Sequence, residues 1–98
     1  MIEIDELEDR VVIRPDFDIV ASRASEIRDA VLKMAAPGKT VILDLNRATI
    51  IDSMGIGVVV ACLKTVMQLG GRFQVKTSNP DILKLFKLLQ LEYILAPA

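Results

Sequence analysis

The sequence has no histidine and no tryptophan, one cysteine, one tyrosine and three phenylalanines. Without histidine the chain cannot hold a Ser-His-Asp triad or a Cys-His dyad. One cysteine and no histidine exclude a zinc site built from the usual nitrogen and sulfur ligands. A single cysteine cannot close an internal disulfide. No dense carboxylate loop of the calcium-binding kind is present, so neither a metal nor another cofactor is expected. The 12 basic residues are scattered singly among 13 acidic ones, for a net charge of −1. Phosphate contacts need clustered cations, so direct nucleic-acid binding is disfavoured. No run reaches the roughly 18 to 20 consecutive apolar residues of a membrane span. The opening Met1-Ile2-Glu3-Ile4-Asp5-Glu6 is acidic and unlike a secretory leader. The expectation is a cytoplasmic protein that is not an enzyme.

What the chain has in quantity is aliphatic residues. Hydrophobic residues make up 52% of the 98 and aromatics only 4%, so the core must be built from Val, Ile, Leu, Ala and Met. That length supports one domain with one core.

Periodicity divides the chain into elements. Residues 2–7 alternate apolar and acidic side chains, the pattern of a half-buried strand. Val11-Val12-Ile13 is a β-branched run and a second strand, ended by Pro15, which cannot donate to a ladder. The short link implies an antiparallel hairpin. Residues 21–35 carry Ala24, Ile27, Ala30, Val31 and Met34 at helical spacing, and Pro37-Gly38 closes that helix. Val41-Ile42-Leu43 is apolar at every position, as in a central strand under helices. A second helix runs from Ser53 to about Leu69 and stops at Gly70-Gly71. Residues 72–76 alternate again. Asn79-Pro80 is an N-cap followed by proline at the first helical position. Ile82, Leu83, Leu85, Phe86 and Leu89 then form an apolar stripe. Tyr93-Ile94-Leu95 reads as a short last strand. The order β-β-α-β-α-β-α, with that possible extra strand, predicts an α/β fold with a mixed sheet.

The stretch from Thr40 to Leu69 organises the rest. A buried strand delivers the chain to a turn, Ile50-Ile51-Asp52-Ser53-Met54-Gly55-Ile56-Gly57, and a buried helix leaves it. The first amides of that helix have no partner within it, and its dipole favours negative charge there. Gly55 and Gly57 each cost about 1 kcal/mol of helix propensity against Ala, which predicts close approach of another backbone or of a partner. From the residues alone, Asp52 and Ser53 read as an ordinary cap. Ser53 has no local base to activate it, and no lysine follows the glycines as in a phosphate-binding loop. Asp44 is expected to bond backbone groups locally, Cys62 to be a buried small hydrophobe, and Arg47 to be a solvated loop charge. Met34 and Met67 are expected to pack, and Met54 to be exposed.

Val41-Ile42-Leu43-Asp44-Leu45 followed by Ile51-Asp52-Ser53-Met54-Gly55-Ile56-Gly57-Val58 resembles the central motif of the STAS family of anti-sigma factor antagonists. That pattern is an apolar strand ending in Asp-Leu, then Asp-Ser-x-Gly-Leu-Gly at a helix start. Gly70-Gly71, Asn79-Pro80 and Leu85-Phe86 extend the resemblance over nearly the whole chain. It implies a single STAS-like domain over residues 1–98, with a mixed sheet of four to five strands and helices packed mainly on one face. It also implies that Ser53 is phosphorylated by the partner, an ATP-binding anti-sigma factor serine kinase. Asp18 corresponds to an acidic partner-surface residue of the family's Gly-x-Leu-Asp loop. The implied partner surface is Asp18, Asp52, Ser53, Met54, Gly55 and Ile56. Three positions depart from the family pattern: Pro15 for a usual Gly, Met54 for a small residue, and Gln90 where a Gly often ends the last helix. The implied function is partner switching, in which the unmodified protein binds the kinase and phosphorylation at Ser53 releases it. The alternative is a STAS scaffold that is not phosphorylated, or a subunit of a larger complex such as a stress-sensing particle or a lipid transport assembly.

Overall fold

The computed structural model describes residues 1–97. Its elements are β1 (Ile2–Glu6), β2 (Arg10–Pro15), α1 (Ala24–Met34), β3 (Thr40–Asp44), α2 (Ser53–Gln68), β4 (Arg72–Lys76) and α3 (Pro80–Leu88). β1 pairs antiparallel with β2, whereas β2, β3 and β4 are parallel. The sheet is therefore mixed, as its short first link requires. The strands lie side by side in chain order, β1-β2-β3-β4. Two right-handed crossovers that advance in one direction place both of their helices on the same face. α1 and α2 accordingly pack on each other, α1 against β2 and α2 against β4. Ile82 and Phe86 bring α3 into the same core.

Strand alternation then separates two faces. Val11, Ile13, Val41, Leu43, Phe73 and Val75 point to the helices and are buried. They meet Ile27 and Val31 of α1 and Val59, Leu63 and Val66 of α2 in one cluster. Burying each large aliphatic side chain contributes about 1.5–3 kcal/mol, so this cluster holds the layers together. On the other face, Val12, Arg14, Ile42 and Gln74 are half-buried and Arg10 and Lys76 exposed. Ile42 thus departs from the expectation of a strand covered on both sides, because the strand order leaves no helix for that face. Asp44 is the buried residue there, 7% exposed. Its carboxylate accepts from Arg14 Nε at 3.3 Å and from the Asn46 amide at 2.9 Å, the local backbone bond expected of it.

Two elements and one burial differ from the sequence reading. α1 starts at Ala24, not Ala21, because residues 21–23 form a turn in which the Arg23 and Ala24 amides both donate to Val20 O. The tail forms a 3-10 turn, Glu92–Ile94, and touches the sheet through one parallel bridge from Leu95 to Val75. The sheet thus has four strands. Met67 is 61% exposed rather than packed. Cys62 is buried as expected, and burial pushes its thiol up to about 11, which makes it inert as a nucleophile at neutral pH.

Candidate functional site

The loops that follow β2, β3 and β4 converge at the carboxyl ends of the parallel strands, and side chains bind them together. Asp18, in the first loop, accepts from the Thr49 and Ile50 amides through Oδ1 at 2.8 and 3.1 Å. The Ile19 amide donates to Ile50 O and the Asp52 amide to Ile19 O, at 3.0 and 3.2 Å. These bonds pair Ile19 with Ile51 as an isolated parallel bridge. The third loop is tied to the second by Asn46 Oδ1, which accepts from the Ser78 amide at 2.8 Å. Asn79 Nδ2 adds a bond to Thr49 O at 3.2 Å, while Asn79 Oδ1 caps α3 by accepting from the Asp81 amide.

At the start of α2 the residues Asp52 and Ser53 divide their roles. Asp52 is the N-cap, with Oδ1 accepting from the Gly55 amide at 2.8 Å. Its Oδ2 accepts from the Ala21 amide at 3.1 Å. The Gly55 amide first, then the Ala21 amide, hold the Asp52 carboxyl below the usual carboxylate range, because hydrogen bonds to the charged form favour it. Both oxygens are committed within the fold, so Asp52 positions the turn. Ser53 is the first helical residue and is exposed. Since the cap bond comes from Asp52, the Ser53 hydroxyl is left at the surface.

The two glycines also divide. Gly55 is buried, and a Cβ there would lie 2.9 Å from the carbonyl carbon of Ile19 and closer still to its oxygen. Its bare backbone lets α2 start directly against the first loop, and it presents no surface of its own. Gly57 is exposed, and a Cβ there would meet nothing within 4 Å. The fold gives no packing reason for that glycine.

The surface around Ser53 is apolar. Met54 is 61% exposed and Ile50 56%, and Ile56 is half-buried. A shallow cavity of about 320 Å³ between the turn and α3 is lined by Ile50, Ile51, Ile82 and Leu85, with Thr49 and Asp81 as its polar residues. The structure thus gathers Asp18, Asp52, Ser53, Met54 and Ile56 at one end of the sheet, with Gly55 beneath. Asp18 and Asp52 serve there as clamps between loops. Asn46 and Ala21 join this region without a signal that sequence spacing offers, since they lie 32 and 31 residues from their partners. Arg47 sits on the open-face side and pairs with Glu3 at 3.0 Å.

Residues 1–97 match the family model of the STAS domain. The Thermotoga maritima protein TM1081 has the same fold, with a TM-score of 0.83 at 24% identity over 96% of this chain and 82% of that one. The anti-sigma factor antagonist SpoIIAA in its unphosphorylated form gives a TM-score of 0.78 at 21% identity, covering 100% of this chain and 88% of that one. The Bacillus SpoIIAA structure in the phosphorylated form gives 0.67 at the same identity, covering 100% and 91%. The murine anion transporter Slc26a9 contains the fold as one part. Its match covers 86% of this chain but 14% of the transporter, at 16% identity and a TM-score of 0.73. At these identities the likeness is one of fold.

Proposed function

The chain belongs to the STAS domain family, and we propose that it acts as an anti-sigma factor antagonist by partner switching in the cytoplasm. The observation that carries this reading is the division of roles at the start of α2. Asp52 supplies the cap through the Gly55 amide, so Ser53 is exposed and free to accept a phosphate without loss of the cap bond. The unmodified surface around Ser53, Met54 and Ile56 binds an ATP-dependent anti-sigma serine kinase through apolar contact, with Gly57 allowing close approach. A phosphate on Ser53 adds about −1.5 to −2 charge. The positive end of the helix dipole favours that charge, so α2 persists. The partner loses a dry apolar contact and must face the new charge, and the complex dissociates.

The test is to incubate the protein with an anti-sigma serine kinase of its source organism and ATP, then map the product by mass spectrometry. One phosphate on Ser53, absent from Ser53→Ala, is expected. Ser53→Asp is expected to keep the circular dichroism spectrum and lose kinase binding; unchanged affinity overturns the proposal. The likeness to a small part of Slc26a9 supports a second reading, a STAS module serving as scaffold or subunit in a larger assembly. That reading expects no phosphate on Ser53 and a stable complex that Ser53→Asp leaves intact.

A further inference from the structure

A second surface, on the flank of α3 away from Ile50, has a different chemistry. Leu83 is half-buried there and lines two adjoining grooves of about 490 and 440 Å³. Pro80 and Leu95 complete the apolar floor of the larger groove, and Ala96 and Pro97 line the smaller one, held to β4 by the Ala96 amide on Val75 O at 2.7 Å. Lys84 and Lys87 rim the larger groove and Lys76 the smaller. All three are exposed, and none is in an ion pair among the described residues. Glu92 is the one acidic residue in the lining of either groove. On a chain of net charge −1 this is a local excess of positive charge over an exposed apolar floor.

We propose that this groove docks an acidic, apolar peptide segment of a partner protein. Apolar side chains of the segment lie on Leu83 and Leu95, and its carboxylates meet Lys76, Lys84 and Lys87. Charge complementarity selects the sign of the partner and raises its rate of encounter. The concave shape suits a protein segment better than a flat bilayer. Asp18, Asp52, Ser53, Met54 and Ile56 line neither groove, so the proposal stands independently of the phosphorylation reading.

The experiment pans phage-displayed random peptides against the whole protein, with Lys84→Glu/Lys87→Glu as counter-selection. Both lysines are exposed, and circular dichroism checks that the variant folds. Enriched peptides are expected to interleave Asp or Glu with Leu, Ile or Phe. Their synthetic versions should bind the wild type about ten-fold more tightly than the variant, and more weakly as salt rises. Leu83→Gln should weaken the same peptides, and Ser53→Asp should leave them unchanged. No enrichment, enrichment of neutral or basic peptides, or equal binding to the variant overturns the proposal. A dimer in sedimentation that Lys84→Glu/Lys87→Glu abolishes overturns it in favour of a second copy. Binding to phosphatidylglycerol vesicles without any peptide preference overturns it in favour of a membrane surface.

Discussion

The two ends of the parallel strands are closed by different chemistry. At the carboxyl ends, side chains make the joints: Asp18 to the Thr49 and Ile50 amides, Asp52 to Gly55 and Ala21, Asn46 to Ser78, and Asn79 to Thr49. At the amino ends most joints are main chain to main chain, beside a bond from Lys39 Nζ to Glu6 Oε1 at 2.9 Å. The Gly38 amide donates to Gly70 O, Thr40 to Asp9 O, and Arg72 to Lys39 O. The polarity of the helices accounts for the caps among these joints. α2 and α3 begin at the carboxyl ends, where their free amides call for acceptors that Asp and Asn side chains provide. They finish at the amino ends, where free carbonyls are met by amides one turn on, through a residue of positive φ. In α2 that residue is Gly70, with Gly71 N donating to Val66 O; in α3 it is Gln90, with Leu91 N donating to Phe86 O. The candidate site lies at the end built by side chains.

The largest expected effects come from the one close backbone approach at each end. Gly55→Ala presses a Cβ on the Ile19 carbonyl, and Gly71→Ala presses one on Lys39 O at 2.7 Å. Each should lose about 1–3 kcal/mol in urea unfolding, as overpacked sites do. Equal losses would show that both ends depend on bare backbone; a neutral Gly55→Ala would break that symmetry.

Asp52→Ala tests the side-chain end by itself. It removes the cap and the bond to Ala21 together, and the melting temperature should fall by about 5 °C. The pH dependence has a definite sign. The folded carboxyl titrates below its unfolded value, so its contribution is present above the unfolded pKa and is lost as pH falls through the folded one. Melting temperatures should therefore drop for the wild type below about pH 4, with part of that slope missing in Asp52→Ala. Identical slopes would mean that Asp52 is not an acid-sensitive clamp.

Gln90→Gly tests the main-chain end. A non-glycine residue at φ 58 carries a left-handed backbone cost that glycine lacks, so stability should rise by about 1 kcal/mol. Smallest is Gly57→Ala, in open space on an exposed helix surface. Propensity alone predicts a gain of about 0.5–1 kcal/mol, accompanied by weaker kinase binding under the proposed function. A gain with unchanged binding would remove Gly57 from the partner surface.

Much of this architecture is legible in the chain. The alternation at residues 72–76, the helical stripe of Ile27 and Val31, Asn79-Pro80 and Gly70-Gly71 each specify an element through neighbours a few residues apart. The Asp-Ser-x-Gly motif marks the turn before any fold is known. What it does not reveal is the second bond that ties Asp52 to the first loop, which glycine the fold requires, and which face of the sheet stays open. Those outcomes depend on partners far along the chain. Ala21 meets Asp52 across 31 residues, and Thr49 and Ile50 meet Asp18 across 31 and 32. The strand order, which places every helix on one face, is likewise set by packing between distant segments. Local periodicity determined the elements and the motif. Tertiary contact made Asp52 a clamp and buried Gly55, because the Ala21 amide that holds its second oxygen and the Ile19 carbonyl that covers Gly55 both come from the first loop.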